Sequence, residues 1–289
     1  NFDTSKVTDM NCMFSPILAL TSLDVSNFDT SKVTNMSKMF FFCEALTSLD
    51  VRNFNTSSVE NMSGMFNKCD KLTSLDVSNF NTSNVTNMSN MFQSCWGLTI
   101  LDVSNFNTSN VTDMSLMFSD YCATSLDVSN FDTSNVTNMS NMFNSCDALT
   151  GLDVSNFNTS SVTKMNGMFY ECSKLASLDL SNFNTSNVTN MMGMFQYCRG
   201  LTSLDVSNFD TSSVTDMMQM FRECSKLKTI YVDLSKWSIT QVTSSGSMFI
   251  DCSNLVGGAG TTYNASYTDI TYARVDGGTS NPGYLTAKA

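Results

Sequence analysis

Eight aspartates recur along the chain at intervals of 25 or 26 residues, each between two apolar residues. They are Asp24, Asp50, Asp76, Asp102, Asp127, Asp153, Asp179 and Asp205, and Tyr231 takes the ninth place. If the repeated segments stack, these carboxylates lie close together and repel one another, which raises their pKa values or recruits cations such as calcium. The alternative is a solvated row whose carboxylates accept hydrogen bonds from neighbouring serines. Paired carboxylates also serve glycoside hydrolysis, but these eight are copies, so none is set apart as the acid.

The chain has no histidine, which removes the commonest general base, and we predict that the protein is not an enzyme. Nine of its ten cysteines, from Cys43 to Cys252, lie three or four residues after a Met-Phe pair. Equivalent side chains of stacked repeats point the same way, so their sulfurs do not meet as a disulfide requires. We therefore predict buried free thiols, no zinc site and no cofactor other than calcium at the aspartate row.

The recurring aspartates and cysteines belong to a sequence repeat, which must determine their positions in the fold. Met-Phe occurs ten times, and seven of the nine intervals between its phenylalanines are 26 residues, with one of 25 and one of 28. A fixed period of this length is typical of a solenoid, in which each unit packs only on its neighbours. We predict one elongated domain of about ten coils over residues 1–256.

Residues 72–98 illustrate one coil. Leu75 and Val77 alternate with polar residues, which predicts a short strand with one buried face. From Val85 to Cys95 the apolar residues are spaced i, i+3, i+6, i+7 and i+10, which predicts a short helix or 3₁₀ segment. Stacked coils would place the strands in a parallel sheet. The expected fold class is an α/β solenoid with this sheet on one face and the short helical segments on the other.

The pattern Leu72-x-x-Leu75-x-Val77 resembles the leucine-rich repeat. The longer motif Met-Phe-x-x-Cys-x-x-Leu-Thr-Ser-Leu-Asp-Val-Ser-Asn-Phe is similar to the repeat of BspA-type leucine-rich repeat surface proteins. This resemblance implies a right-handed coil, an extracellular or cell-surface location, and adhesion to host or neighbouring cells. Asn79 stands one place before the ladder position of the general motif, so we expect a turn that differs from the common asparagine ladder.

The repeat breaks in two places. The fifth coil is one residue short; Ala123 takes its leucine position, Tyr121 or Asp120 takes its cysteine position, and we expect a packing defect. Residues 257–289 are rich in Gly and turn residues, and we predict a non-repeat C-terminal cap of β and loop structure. Because the chain begins inside a repeat, we expect its N-terminal cap and targeting signals to lie outside this sequence.

The net charge of −11 argues against a nucleic-acid partner, and no apolar run is long enough to span a bilayer. The long polar face instead favours a surface module that binds a protein or glycan of a host or neighbouring cell through the Ser-Asp-Ser face. The row predicts a partner that is basic or bound through calcium. The alternative is a structural protein whose coils stack end to end into a filament or layer.

Overall fold

The computed structural model describes residues 2–288, and the 26-residue period becomes a stack of coils. Nine parallel bridges connect one equivalent position from coil to coil. This column consists of Asp9, Asn35, Asn61, Asn87, Asp113, Asn138, Lys164, Asn190, Asp216 and Ser244. Each coil therefore contacts the next in register, as the predicted solenoid-like repeat requires.

The strands are two to four residues long. β1 (Ser22–Leu23) pairs in parallel with β2 (Ser48–Leu49). β3 (Ser203–Asp205), β4 (Thr229–Val232) and β5 (Leu285–Ala287) form a three-stranded parallel sheet in that order. The coils between these sheets keep the alternation of buried and exposed residues without a regular strand.

The segment expected to be helical consists of consecutive turns. Asn90 and Ser94 adopt φ values of 59° and 55°, which no right-handed helix contains. The N–H groups of Asn90, Phe92 and Ser94 donate to carbonyls of the next coil, while that of Met91 donates three residues back. In a helix, these N–H groups would donate to carbonyls of the same segment, so the prediction of short helices is wrong here. The two 3₁₀ helices found in residues 2–288, Ile270–Tyr272 and Gly278–Ser280, lie after the repeats.

One apolar core runs the length of the stack. The phenylalanines of the Met-Phe pairs stack from Phe14 to Phe249 with ring centroids 5.6 to 6.0 Å apart and planes within 13°. This separation exceeds the strand spacing of about 4.8 Å, so successive rings are offset, as aromatic pairs prefer. The methionine, valine and cysteine columns are fully buried around these rings in the central coils.

A buried threonine connects each coil to the next. Thr82 donates its hydroxyl to the Asn107 carbonyl (2.9 Å) and accepts the Asn107 N–H (2.8 Å). The column comprises Thr4, Thr30, Thr56, Thr82, Thr108, Thr133, Thr159, Thr185 and Thr211, all at most 3% exposed. These hydroxyls satisfy backbone groups at the coil junctions that the strands do not reach.

The turn after the strand contains an asparagine ladder. Asn79 Nδ2 donates to the carbonyls of Val51, Arg52 and Phe54 in the preceding coil, at 3.3, 2.9 and 2.9 Å. Asn53, Asn105 and later equivalents repeat this contact. The turn therefore contains a ladder formed by the asparagine one place before the ladder position of the general motif, because this amide spans the gap between coils.

The short fifth coil has the predicted defect. Tyr121, rather than Asp120, fills the cysteine position and is completely buried, and Ala123 fills the leucine position. The Tyr121 hydroxyl has no hydrogen-bond partner. Cys122 is displaced to the surface, so it does not belong to the buried cysteine column in which the sequence placed it.

The chain leaves the coil after residue 256 and returns to it at β5. Tyr284 packs edge to face on Phe249, with centroids 5.2 Å apart and planes at 78°, and ends the phenylalanine stack. The buried Asp276 carboxylate accepts the N–H groups of Ala259, Thr261 and Gly278. The last coil is thus covered by a folded segment that contributes its own parallel strand.

Candidate functional site

The strand face carries the aspartate row at the surface, between buried leucines and valines. Asp76 is exposed, whereas Leu75 and Val77 on either side are buried. Its Oδ1 accepts the Ser78 N–H (3.0 Å) and the Ser78 hydroxyl (2.6 Å). All eight predicted aspartates accept the N–H of the residue two places on: Asp24, Asp50, Asp76, Asp102, Asp127, Asp153, Asp179 and Asp205.

These hydrogen bonds lower the aspartate pKa values, so the expectation of raised values is wrong. The alternative, a solvated row whose carboxylates accept hydrogen bonds from neighbouring serines, is confirmed. The hydroxyl and the amide of the following serine lower the pKa of Asp24, Asp76, Asp102, Asp127 and Asp153. Hydrogen bonds from the Arg52 side chain and N–H lower that of Asp50 to about 2. Because the carboxylates are exposed, water screens their mutual repulsion, and local donors determine the direction of the shift.

Asp50 and Asp205 are paired with cations, and the aspartates of the row between them are not. Arg52 Nη2 lies 2.7 Å from Asp50, and Lys288 Nζ lies 2.5 Å from Asp205. No ion pair involves an aspartate of the row between these two in residues 2–288. Residues 72–163 contain eight acidic residues and no lysine or arginine. The middle of the strand face is therefore uniformly anionic.

The arginine partner is visible in the repeat pattern, since Arg52 occupies the position of Ser78. The lysine partner was missed, because Lys288 lies in the non-repeat segment and no period places it beside Asp205. Tyr231, the remaining predicted site residue, is 37% exposed and pairs in register between Asp205 and Thr286. The structure thus brings all nine predicted residues onto one face.

At one end, the row borders an open depression of about 490 Å³. It is lined by Ser22, Leu23, Asp24, Ser48, Leu49, Asp50, Arg52, Ser74 and Asp76. Within residues 2–288, no three acidic, cysteine or histidine side chains converge as a metal site would need. Calcium binding at the row stays a prediction.

The cysteine column is structural. Cys95 Sγ donates to the Phe66 carbonyl of the preceding coil (3.0 Å), and burial raises the pKa of Cys95 to about 12. All ten cysteines are free thiols, as predicted, and eight are buried. Such thiols behave as small apolar side chains rather than as nucleophiles. Cys12 and Cys122 are the two exposed ones.

Comparisons with known proteins identify a family. Its model, described as "Mycoplasma protein of unknown function, DUF285", matches residues 1–99, 43–152, 87–200 and 176–272. No curated protein matches the chain. None of the helices in residues 2–288 is long and apolar enough to cross a membrane.

Two solved structures are similar. One is a leucine-rich repeat protein from Bacteroides ovatus, with 18% identity and a TM-score of 0.44, over 76% of this chain and 56% of that one. The other is the functional domain of InlJ from Listeria monocytogenes, which includes a cysteine ladder, with 18% identity and a TM-score of 0.27, over 88% of this chain and 55% of that one. The chain thus spans little more than half the length of either structure.

Proposed function

Since the chain belongs to the family described as Mycoplasma protein of unknown function, DUF285, we propose its function from its surface chemistry. It is a non-enzymatic cell-surface binding module whose strand face engages a basic segment of a protein on a host or neighbouring cell. One observation carries this proposal: the row has exposed aspartates from Asp76 to Asp179 that form no ion pair within residues 2–288.

The electrostatics favour a cationic partner. The lowered pKa values keep the carboxylates ionised well below neutral pH. Their spacing along the stack, about 4.8 Å per coil, sums the potential of several charges over one surface. Such a face attracts lysine- and arginine-rich segments at rates that fall as salt increases.

The extracellular location belongs to the same proposal. The similarity of the repeat motif to BspA-type surface proteins supports this location. The same similarity implies a right-handed leucine-rich repeat coil, which is also part of the proposal. A long, polar and regular face is the kind of surface that repeat proteins use for recognition. Surface location is tested by labelling intact cells with an antibody against the purified chain, and labelling that needs permeabilised cells would contradict it.

Self-assembly into a filament or layer is a second candidate. The first described coil exposes apolar side chains of Phe2, Met13, Ile17 and Leu18, between 39% and 80%. A mass that stays monomeric in light scattering over a concentration series would exclude this candidate.

The binding proposal is tested with a charge-matched pair of triple variants. The first changes Asp102, Asp127 and Asp153 to Asn, which keeps an acceptor for the following serine. The control makes the same change in charge away from the row, with Asp147→Asn, Asp251→Asn and Glu60→Gln.

The probe is an immobilised oligolysine peptide, measured at low and at roughly physiological ionic strength. We expect the row variant to bind at least tenfold more weakly than the unmodified chain and the control to change by less than about threefold. Both variants lose the same net charge, but only the row variant loses it from the surface proposed to bind the probe. Equal loss in both variants would show that net charge alone, and not the row, attracts the probe.

A further inference from the structure

The second coil departs from the repeat at two surface positions. The two residues after its Met-Phe pair are Phe41 and Phe42, where the other coils carry mostly polar residues. The equivalents in the next four coils are Asn67-Lys68, Gln93-Ser94, Ser119-Asp120 and Asn144-Ser145. Phe42 also has φ 58°, a region that bulky residues seldom occupy. Neither the stacking of the coils nor the packing of the core requires aromatic rings at positions 41 and 42.

The two rings form a small platform flanked by lysines. The rings of Phe41 and Phe42 lie 4.3 Å apart at 61°. Lys38 Nζ lies 5.7 Å from the Phe41 ring centre, and Lys68 Nζ lies 4.6 Å from that of Phe42. Neither ammonium group takes part in an ion pair within residues 2–288. Two ammonium groups therefore lie beside these rings, in a chain with a net charge of −11.

A glycine lines the groove beside Lys38. Gly64 has φ +61°, and a Cβ there would lie 3.3 Å from Lys38 Cγ. The resulting groove has a volume of about 500 Å³. It lies along the turn segments and shares no residue with the depression beside the aspartate row.

The polar lining of the groove comes from side chains. Asn67 Nδ2 donates to Gln93 Oε1 (2.9 Å), which leaves Asn67 Oδ1 and Gln93 Nε2 to accept from and donate to a ligand. The backbone N–H groups of Lys38 and Gly64 are already bonded to the next coil. A peptide strand would need free backbone partners, whereas a ligand rich in hydroxyl groups can pair with these side-chain amides.

We propose that this groove, formed by Lys38, Phe41, Phe42, Gly64, Asn67 and Lys68, binds an acidic carbohydrate. The aromatic rings receive an apolar face of the sugar, the two ammonium groups receive its carboxylate, and the amides pair with its hydroxyls. The site is independent of the aspartate row and adds a second, chemically opposite binding surface on another side of the coil.

The first experiment titrates the full chain with sodium glucuronate, with glucose as the neutral match, and with an oligoglutamate peptide. Ligand-observed NMR and calorimetry report binding. We expect saturable glucuronate binding that weakens with salt and is at least tenfold tighter than glucose binding. Equal affinity for the two sugars, the absence of saturation, or tighter binding of the peptide would each overturn the proposal.

Variants locate the site. Phe42→Ser copies Ser94 and Ser145, and Gly64→Asn copies Asn90, which has φ 59° at the same position of the next coil. Both substitutions should preserve folding and weaken glucuronate binding at least tenfold. Tyr170→Asn, the matched control in the seventh coil, should change nothing. If the control weakens binding as much, or if neither groove variant does, the site is wrongly placed.

The row variant separates this proposal from the proposed function. The triple variant Asp102→Asn, Asp127→Asn and Asp153→Asn should weaken oligolysine binding at least tenfold and leave glucuronate binding unchanged. Either proposal can therefore fail without the other.

Discussion

The threonine column predicts a specific cost for removing one hydroxyl in the middle of the stack. Thr82→Val is nearly isosteric, so packing is preserved while both hydrogen bonds to Asn107 are lost. Thr82 is 1% exposed, and coils on both sides prevent end fraying. The substitution therefore isolates the contribution of one junction between coils.

The expected magnitude follows from the two backbone groups left without a partner. An unsatisfied buried donor or acceptor costs about 1–3 kcal/mol, and the Asn107 backbone is only partly buried, so we expect about 2–3 kcal/mol in total. Thr82→Ser is the control, because it keeps both bonds and removes one methyl group, worth about 1 kcal/mol.

Two measurements check this prediction. Urea unfolding followed by circular dichroism should rank the unmodified chain, Thr82→Ser and Thr82→Val in decreasing stability. A solenoid can open locally, so hydrogen exchange at the Asn107 amide is the more sensitive assay. A loss of about 2 kcal/mol in the free energy of local opening corresponds to roughly 30-fold faster exchange of this amide. If Thr82→Val were no less stable than Thr82→Ser, the threonine hydroxyl would not be what connects the coils.

Three further predictions concern the defect, the C-terminal segment and the thiols. Tyr121→Phe removes the unpartnered hydroxyl and should stabilise the chain by about 1 kcal/mol, seen as a higher urea midpoint; a lower midpoint would show that the hydroxyl is bonded. Although burial opposes it, hydrogen bonds from Thr261, Gly278 and Ala259 lower the pKa of Asp276 to about 2. Its folded-state pKa is below the unfolded value, so its contribution is full above about pH 4 and is lost as the pH falls towards 2. Fluorescence of Trp237, whose indole donates to Ala273, should report release of this segment on acidification, and Asp276→Asn should flatten that response; an unchanged profile would contradict it. A thiol reagent should modify two of the ten cysteines in the folded chain, and more would mean that the buried column opens.

The buried positions could be predicted from the sequence because each recurs at the same place in every coil. Val85, Met88, Met91, Phe92 and Cys95 are all buried as the pattern indicates. What could not be predicted was the backbone that buries them, since the same spacing suits a helix and a row of turns. The choice depends on acceptors in the next coil, which periodicity within one coil does not reveal.

The candidate site was likewise predictable from the sequence only in part. The alternation of Leu75, Asp76 and Val77 placed the aspartates outward, and the structure has them there. Repulsion between neighbouring coils about 4.8 Å apart predicted raised pKa values. The alternative, hydrogen bonds from the neighbouring serines, determines the direction instead and lowers them. Arg52 could be found by comparing coils, whereas Lys288 could be found only from the fold.

The sequence by itself determined the period, the buried and exposed registers, the free thiols and the position of the short fifth coil. These are properties of one repeat and its copies, and stacking identical units leaves little choice about which side faces inward. Only the tertiary structure decided the turns, the threonine and asparagine ladders and the return of β5 beside β4. It also placed the groove at Phe42. Hydrogen bonds and grooves form here between residues of neighbouring coils, about 26 positions apart, and the pattern within one repeat does not show which of these residues meet.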